Sequence, residues 1–282
     1  MLDVKHFSRS LIGVVCVALL SQCGKQGTAP PVDSTEVLVT KGKEIVKHIS
    51  VQELPLELLT GSSAVYDEML LLDPALVDDY LPSPEKTALN IGVYTTDGLY
   101  LAVYHQTPSY MQRSATCQRM SDEIGIRDGF GAETLQRLDA NLGNSDSVIS
   151  IFKESVRRAQ YVLEEDKQED IATLIATGSL VEFLYILCEI VKPDPATGTS
   201  NVGAKDKRAT TIEGVVRQKE KVESLARRLS GMSHTELVAW LRDNMITLEQ
   251  SLTTLEQNED YTEASFAEII RQVEKIRGYI TR

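Results

Sequence analysis

The feature that most constrains the fold is the stretch "IATLIATGSLVEFLYILCEIV" (171–191), which is apolar on almost every side. As a helix it would be long enough to cross a bilayer core of about 30 Å. Glu182 and Glu189 lie within it, and carboxylates make membrane insertion costly. Pro193 and Pro195 follow and end the pattern. The stretch therefore predicts a helix buried at the centre of a globular domain, with other elements packed around it.

A second apolar stretch, "LNIGVYTTDGLYLAVYHQ" (89–106), fits two structures. Asp97-Gly98 is a favoured pair for a type I′ hairpin turn, and apolar residues alternate on both sides of it. The flanking dipeptides Ser83-Pro84 and Thr107-Pro108 instead bracket one continuous helix. Each interior glycine would cost that helix about 1 kcal/mol relative to alanine, which packing of an apolar helix can offset. We predict the helix.

Helix signals dominate the remaining sequence, and we predict an all-α fold. The expected architecture is a multi-helix bundle or irregular helical array in which neighbouring helices run antiparallel. A helical body covers 36–192, and a linker rich in Pro, Gly and Ser covers 193–209. Three amphipathic helices at 210–282 form a unit that packs on the body, with apolar faces at 212–229, 237–255 and 266–280.

The first 22 residues have the pattern of a secretory signal peptide, with Lys5 and Arg9 before an apolar run at 11–20. The following "LSQC" resembles a bacterial lipobox, with Gln22 where Gly or Ala is usual, so we expect lipid on Cys23. Ordinary signal cleavage is the alternative. Residues 23–35 are predicted to be a flexible tether. Attached acyl chains would anchor the protein in the membrane. Gly24 weakly favours the outer membrane, with the protein facing the periplasm.

Charge excludes nucleic acid as an expected partner. The chain has 29 Lys+Arg and 41 Asp+Glu. Loss of residues 1–22 removes two basic residues and one acidic residue, which leaves 27 against 40 and a net charge of −13. Phosphate binding depends on Lys and Arg, so this balance argues against nucleic acids and anionic lipids.

Two cysteines besides Cys23 would remain after processing, Cys117 and Cys188. Their spacing does not distinguish a disulfide from two buried thiols, and we favour the thiols.

Polar residues along the two apolar stretches are the candidate site. On a helix Asn90, Tyr94, Asp97 and Tyr104 share one face, and Glu182 lies on the central helix. One hypothesis is that Asp97 and Glu182 meet in a cavity that binds a small molecule or serves as an acid/base pair. Alternatively, tyrosine hydroxyls and backbone groups satisfy both carboxylates, or the face with Glu182 and Glu189 points to solvent.

Motifs for common chemistries are missing from the sequence. It contains no P-loop, no dinucleotide-binding glycine motif before a helix, no nucleophile elbow and no His-Glu-x-x-His. The histidines outside the signal lie far apart, without cysteines at metal-ligand spacing. We therefore predict no catalytic residues, no cofactor and no metal.

The stretches "TALNIGVYTTDGLYLAVYHQT" (87–107) and "ATGSLVEFLYI" (176–186) resemble those of a group of uncharacterised lipoproteins of the Bacteroidota. The resemblance extends from about residue 54 to the C-terminus. In that group a residue other than glycine often follows the aspartate, which implies a helix at 97–98. The group has no known activity, so the resemblance implies no catalytic residues.

Together these features predict a membrane-anchored envelope lipoprotein that binds a protein partner or contributes to an assembly. A helical receptor for a small ligand at the Tyr/Asp/Glu cluster is the alternative, followed by an unrecognised hydrolase.

Overall fold

The computed structural model describes the chain from residue 54 onward, in segments separated by short gaps. The described residues are 54–126, 132–141, 144, 146–151, 154, 157–158, 163, 168–193, 200–202, 205–233, 235–258 and 261–282. The predicted signal peptide (1–22), the lipidation residue Cys23 and the tether (23–35) lie outside them.

Helices account for nearly all the regular structure of these residues, which confirms the all-α prediction. A single antiparallel bridge joins Pro193 and Ser200. In chain order the helices are α1 (Glu57–Ser62), α2 (Val77–Tyr80), α3 (Pro84–Val103), α4 (Thr107–Glu123), α5 (Ala132–Asp139), α6 (Glu169–Val191), α7 (Lys205–Val216), α8 (Lys219–Gly231), α9 (Glu236–Asn258) and α10 (Glu263–Ile280).

The ambiguous stretch at 89–106 forms one continuous helix through residue 103, and the hairpin at 97–98 does not form. Ser83 begins this helix, α3, because its hydroxyl accepts the backbone N–H of Lys86 at 3.3 Å. Pro84 occupies the first turn, where the missing N–H costs no hydrogen bond. The next helix, α4, begins at Thr107, where the sequence predicted a boundary.

α6 lies at the centre of the fold, as its apolar sequence predicts. By length and composition α6 could cross a membrane, but 78% of its most apolar window is buried within the protein. Burial of that surface against α3, α7, α8 and α10 provides the reason for its composition.

α3 and α6 pack closely because glycines lie at their crossing. A Cβ on Gly92 would be 2.1 Å from the Ile175 carbonyl oxygen. A Cβ on Gly178 would be 1.9 Å from the Leu89 carbonyl oxygen. The glycines therefore set the distance between the two helices that carry the candidate site.

The prediction of three helices at 210–282 is wrong, because the first of them is two helices. α7 and α8 are separated by a turn at 217–218, and α7 begins at Lys205, inside the predicted linker. The buried positions Val216 and Val222 are six residues apart, with Lys219 and Glu220 where an unbroken apolar stripe would continue.

The C-terminal helices and the body share one hydrophobic core. The described residues from 54 to 282 belong to one compact unit. α10 packs against both α6 and α3, which brings the end of the chain next to the candidate site.

Cys117 and Cys188 are both free and buried, which confirms the preference for thiols over a disulfide. Burial raises the pKa of Cys117 to about 12. Burial also raises the pKa of Cys188.

Candidate functional site

The predicted polar residues do lie together, at the interface of α3 and α6. Asn90, Tyr94, Asp97 and Glu182 are fully buried, and Tyr104 is half-buried at the end of α3. The four residues Asn90, Tyr94, Asp97 and Tyr104 follow each other at intervals of four, three and seven, so helical geometry places them on one face. Glu182 belongs to the neighbouring face of α6.

The tyrosines of this face bind the backbone of residues 64–73, which we call the cover segment. The Tyr104 hydroxyl donates to the Ala64 carbonyl at 3.0 Å. The Tyr94 hydroxyl donates to the Asp73 carbonyl at 2.7 Å. Between them, the hydroxyl of Tyr100 accepts the backbone N–H of Asp67 at 3.0 Å. Helical side chains therefore satisfy backbone groups of a segment that has little regular structure of its own.

Asp97 binds the same segment. Its Oδ2 accepts the backbone N–H of Leu72 at 3.0 Å. Its Oδ1 is buried and has no hydrogen-bond partner of its own among the neighbouring described side chains and backbone groups. An unpaired buried acceptor is costly, so the protonation state of this carboxyl matters to the fold.

Glu182 pairs with an arginine that lies outside the predicted polar cluster. Arg277 of α10 donates to both carboxylate oxygens of Glu182, from Nε at 2.9 Å and from a terminal nitrogen at 3.1 Å. Its guanidinium carbon lies 4.3 Å from the centroid of the Tyr185 ring, a cation–π geometry. The side chain of Arg277 is 17% exposed and that of Glu182 is 0% exposed, so the pair is largely shielded from water.

A second arginine, Arg113 of α4, completes the group. Arg277 donates to the Leu70 carbonyl at 3.3 Å, and Arg113 donates to the Leu72 carbonyl at 3.2 Å. Both arginines therefore also bind the cover segment. We call Asp97, Arg113, Glu182 and Arg277 the buried charge cluster.

The positions of both arginines in the sequence indicate that their side chains are buried. Arg277 lies within the apolar stripe of the last helix, between Ile276 and Ile280 and four residues after Val273. Arg113 lies three residues after the buried Tyr110 and four before the buried Cys117. A charged residue on an apolar face is rarely buried without a partner, so each position predicts a buried arginine that is bound to a carboxylate or to carbonyl groups.

Burial is the main influence on the ionisation of Asp97 and Glu182. Burial raises the pKa of Asp97 well above its usual range, and the charge of Glu182 raises it further. Burial raises the pKa of Glu182 too, while Arg277 opposes that shift. Burial lowers the pKa of Arg277, but the adjacent Glu182 outweighs it, so the pKa of this arginine is raised.

At its other end the α3 face binds the end of the chain. The Asn90 amide donates to the Ile280 carbonyl at 3.0 Å and to the Lys86 carbonyl at 3.0 Å. The Tyr80 hydroxyl donates to the Thr281 carbonyl at 3.0 Å, and burial raises its pKa to about 12.

The surroundings of Asp97 and Glu182 distinguish among the three interpretations of the acidic pair. Asp97 and Glu182 influence each other electrostatically, but Asp97 accepts from the Leu72 N–H, Glu182 accepts from Arg277, and the cover segment is bonded to both Asp97 and Arg277. Glu182 does not face solvent, whereas Glu189 lies near the end of α6 and pairs with Lys192 at 3.1 Å.

The described grooves lie elsewhere. One of about 300 Å³ lies between α9 and α10, and another of about 190 Å³ lies between α8 and α9. No residue of the buried charge cluster lines either groove. Within the described part of the chain no group of three or more His, Cys, Asp or Glu residues is arranged to hold a metal ion.

The fold and the cluster define an all-α protein in which a row of buried polar side chains holds the chain's own backbone. Comparison of the chain with protein-family models, with curated proteins and with solved structures finds no match.

Proposed function

We propose that the protein is a lipid-anchored cell-envelope lipoprotein that binds a protein partner, or contributes to an assembly, without catalysing a reaction. The anchor is the lipid on Cys23, and the site of action is the periplasmic face of the outer membrane. The sequence pattern at 1–35 and the resemblance to lipoproteins of the Bacteroidota support this proposal.

The non-catalytic part of the proposal rests on one structural observation, which is that the polar side chains of the candidate site are engaged in hydrogen bonds within the protein. The Tyr94 and Tyr104 hydroxyls, the Asp97 carboxyl and the Glu182–Arg277 pair all contact the cover segment or each other. A substrate could reach the carboxyls only after that segment moved. Their hydrogen bonds therefore favour a structural role over acid/base catalysis.

Metabolic labelling tests the anchor. Cells expressing the full chain are grown with labelled palmitate, and the purified protein is examined for label. We expect label on the wild type and none on the Cys23→Ser variant, which should also leave the membrane fraction. Cys117→Ser is the matched control and should remain labelled. Label that persists in Cys23→Ser would contradict the proposed anchor.

Co-purification from detergent-solubilised envelope tests the binding role. A protein retained at a fixed stoichiometry supports partner binding or assembly. A small molecule retained instead, and lost on substitution of Tyr94 or Tyr104 by Phe, would overturn this role in favour of a helical ligand receptor.

A further inference from the structure

We propose that Asp97 and Glu182 share one proton, and that this proton determines how firmly the cover segment is held against α3. The proposal concerns a pH-sensitive latch within the fold. It does not depend on the lipid anchor or on any partner.

The hydrogen-bond geometry indicates which oxygen carries the proton. Oδ2 of Asp97 accepts from the Leu72 N–H, and both oxygens of Glu182 accept from Arg277. Asp97 and Glu182 are close enough to influence each other's ionisation. Two ionised carboxylates cannot form a hydrogen bond with each other, because each is an acceptor only. A proton on Oδ1 of Asp97, the buried oxygen that otherwise lacks a partner, supplies the donor.

The charges that face Asp97 come from every element packed against it. Glu182 on α6 disfavours the ionised form, while Arg277 on α10, Arg113 on α4 and the Leu72 N–H favour it. Burial is the strongest influence and also disfavours the ionised form. Three further titratable groups interact electrostatically with Asp97: Tyr66 on the cover segment, Tyr94 on α3 and Cys117 on α4.

The buried charge cluster holds the cover segment through three hydrogen bonds, at Leu70 and Leu72. Arg277 binds the Leu70 carbonyl, while Asp97 and Arg113 bind the N–H and the carbonyl of Leu72. Loss of the shared proton places two negative charges side by side beneath these contacts. The added negative charge attracts the guanidinium groups of Arg113 and Arg277 more strongly, and this attraction weakens their bonds to the segment.

The direction of the pH effect follows from linkage. The native state binds the Asp97 proton more tightly than the unfolded chain does, because the native pKa is raised. The contribution of the Asp97 carboxyl to the free energy of unfolding is therefore greatest at low pH. It declines as the pH rises from the usual carboxyl range of about 4 through the raised native pKa. Within that window the unfolding equilibrium constant rises by up to about tenfold for each pH unit.

The test compares the full-length wild type with Asp97→Asn between pH 5 and pH 9. Asparagine reproduces the neutral acid, since its amide oxygen accepts from Leu72 and its NH₂ donates to Glu182. It does not titrate. Asp67→Asn is the matched control, because the Asp67 carboxyl lies on the same segment and caps only the nearby Met69 N–H.

Two measurements give the outcome. The first is the urea midpoint of unfolding as a function of pH. The second is hydrogen exchange of peptides that cover 64–73, corrected for the intrinsic rate and compared with peptides from α9. We expect the midpoint and the protection of the cover segment to fall with rising pH in the wild type and in Asp67→Asn, but not in Asp97→Asn.

Parallel pH profiles of the wild type and Asp97→Asn would overturn the proposal. Unchanged protection of the cover segment in the wild type, across the whole pH range, would overturn it too. An Asp97→Asn variant that does not fold at any pH would do the same, because the neutral form would then be shown to be incompatible with the structure.

Discussion

At the scale of single residues, the buried polar groups act as supports for backbone that is not helical. Tyr104 contacts the first residue of the cover segment, and Asp97 and Tyr94 contact its last two residues. Arg277 connects Glu182 of α6 to the Leu70 carbonyl. Each side chain satisfies a buried or partly buried backbone group, so its removal leaves that group without its partner.

Glu182→Gln tests the importance of the buried ion pair. The substitution keeps the size of the side chain but leaves Arg277 without a carboxylate, and breaking a buried pair costs about 3 kcal/mol. We expect the free energy of unfolding, measured in urea at pH 7, to fall by that amount. The exposed pair Arg227–Glu223 supplies the control, since Glu223→Gln should leave the midpoint unchanged. Equal effects of the two substitutions would show that the buried pair has no special role.

At the scale of elements, the fold depends on the close crossing of α3 and α6. Ser179 and Thr96 cross-link it, because Ser179 Oγ donates to the Gly92 carbonyl and Thr96 Oγ1 donates to the Ser179 carbonyl, each at 3.2 Å. Side-chain hydrogen bonds to the partner helix require backbones in near contact, and only glycine permits that approach here.

Gly178→Ala is predicted to separate the two helices. Its methyl group would overlap the Leu89 carbonyl, which is backbone and cannot rotate away. We expect a loss of about 3 kcal/mol or more in urea unfolding. Gly278→Ala in α10 is the matched control, because no atom lies within 4 Å of the added Cβ. It should raise stability by up to about 1 kcal/mol through helix propensity. A neutral Gly178→Ala variant would contradict the close crossing.

At the scale of the whole molecule, the end of the chain is bonded to its first long helix. The carbonyls of Ile280 and Thr281 accept from Asn90 and Tyr80, which lie about 200 residues earlier. The Ile280 side chain is fully buried in the common core. The predicted body and the C-terminal helices are therefore held together by both polar and apolar contacts.

A variant that stops after Tyr279 tests this closure. It removes the buried Ile280 side chain and the acceptors of Asn90 and Tyr80, and we expect a loss of at least about 3 kcal/mol. Thermal unfolding by circular dichroism measures the change. A variant that lacks only Arg282 is the control and should unfold at the wild-type temperature, since the Lys86 bond to Arg282 is exposed.

Local signals in the sequence were enough for most of the helices. Ser83-Pro84 began α3 as predicted, and Gly125 ends α4 with a φ of 81°, the left-handed conformation that favours glycine. The same signals were insufficient at 217–218, where the sequence suggested one helix and the structure has two. No Gly or Pro marks that break, so only the spacing of the buried valines indicated it.

The sequence alone determined where most of the helices form and which of their faces are apolar, because caps and periodicity act over a few neighbouring residues. It also placed Asp97 and Glu182 within two apolar helices and left open whether they face each other. Only the tertiary structure decided that Arg277, 95 residues beyond Glu182, would pair with it and that the cover segment would lie over both. The physical reason is that helical periodicity fixes only the direction in which a side chain points from its own helix axis. Which residue that side chain contacts depends on how helices distant in sequence cross, and here Gly92 and Gly178 set the crossing of α3 and α6.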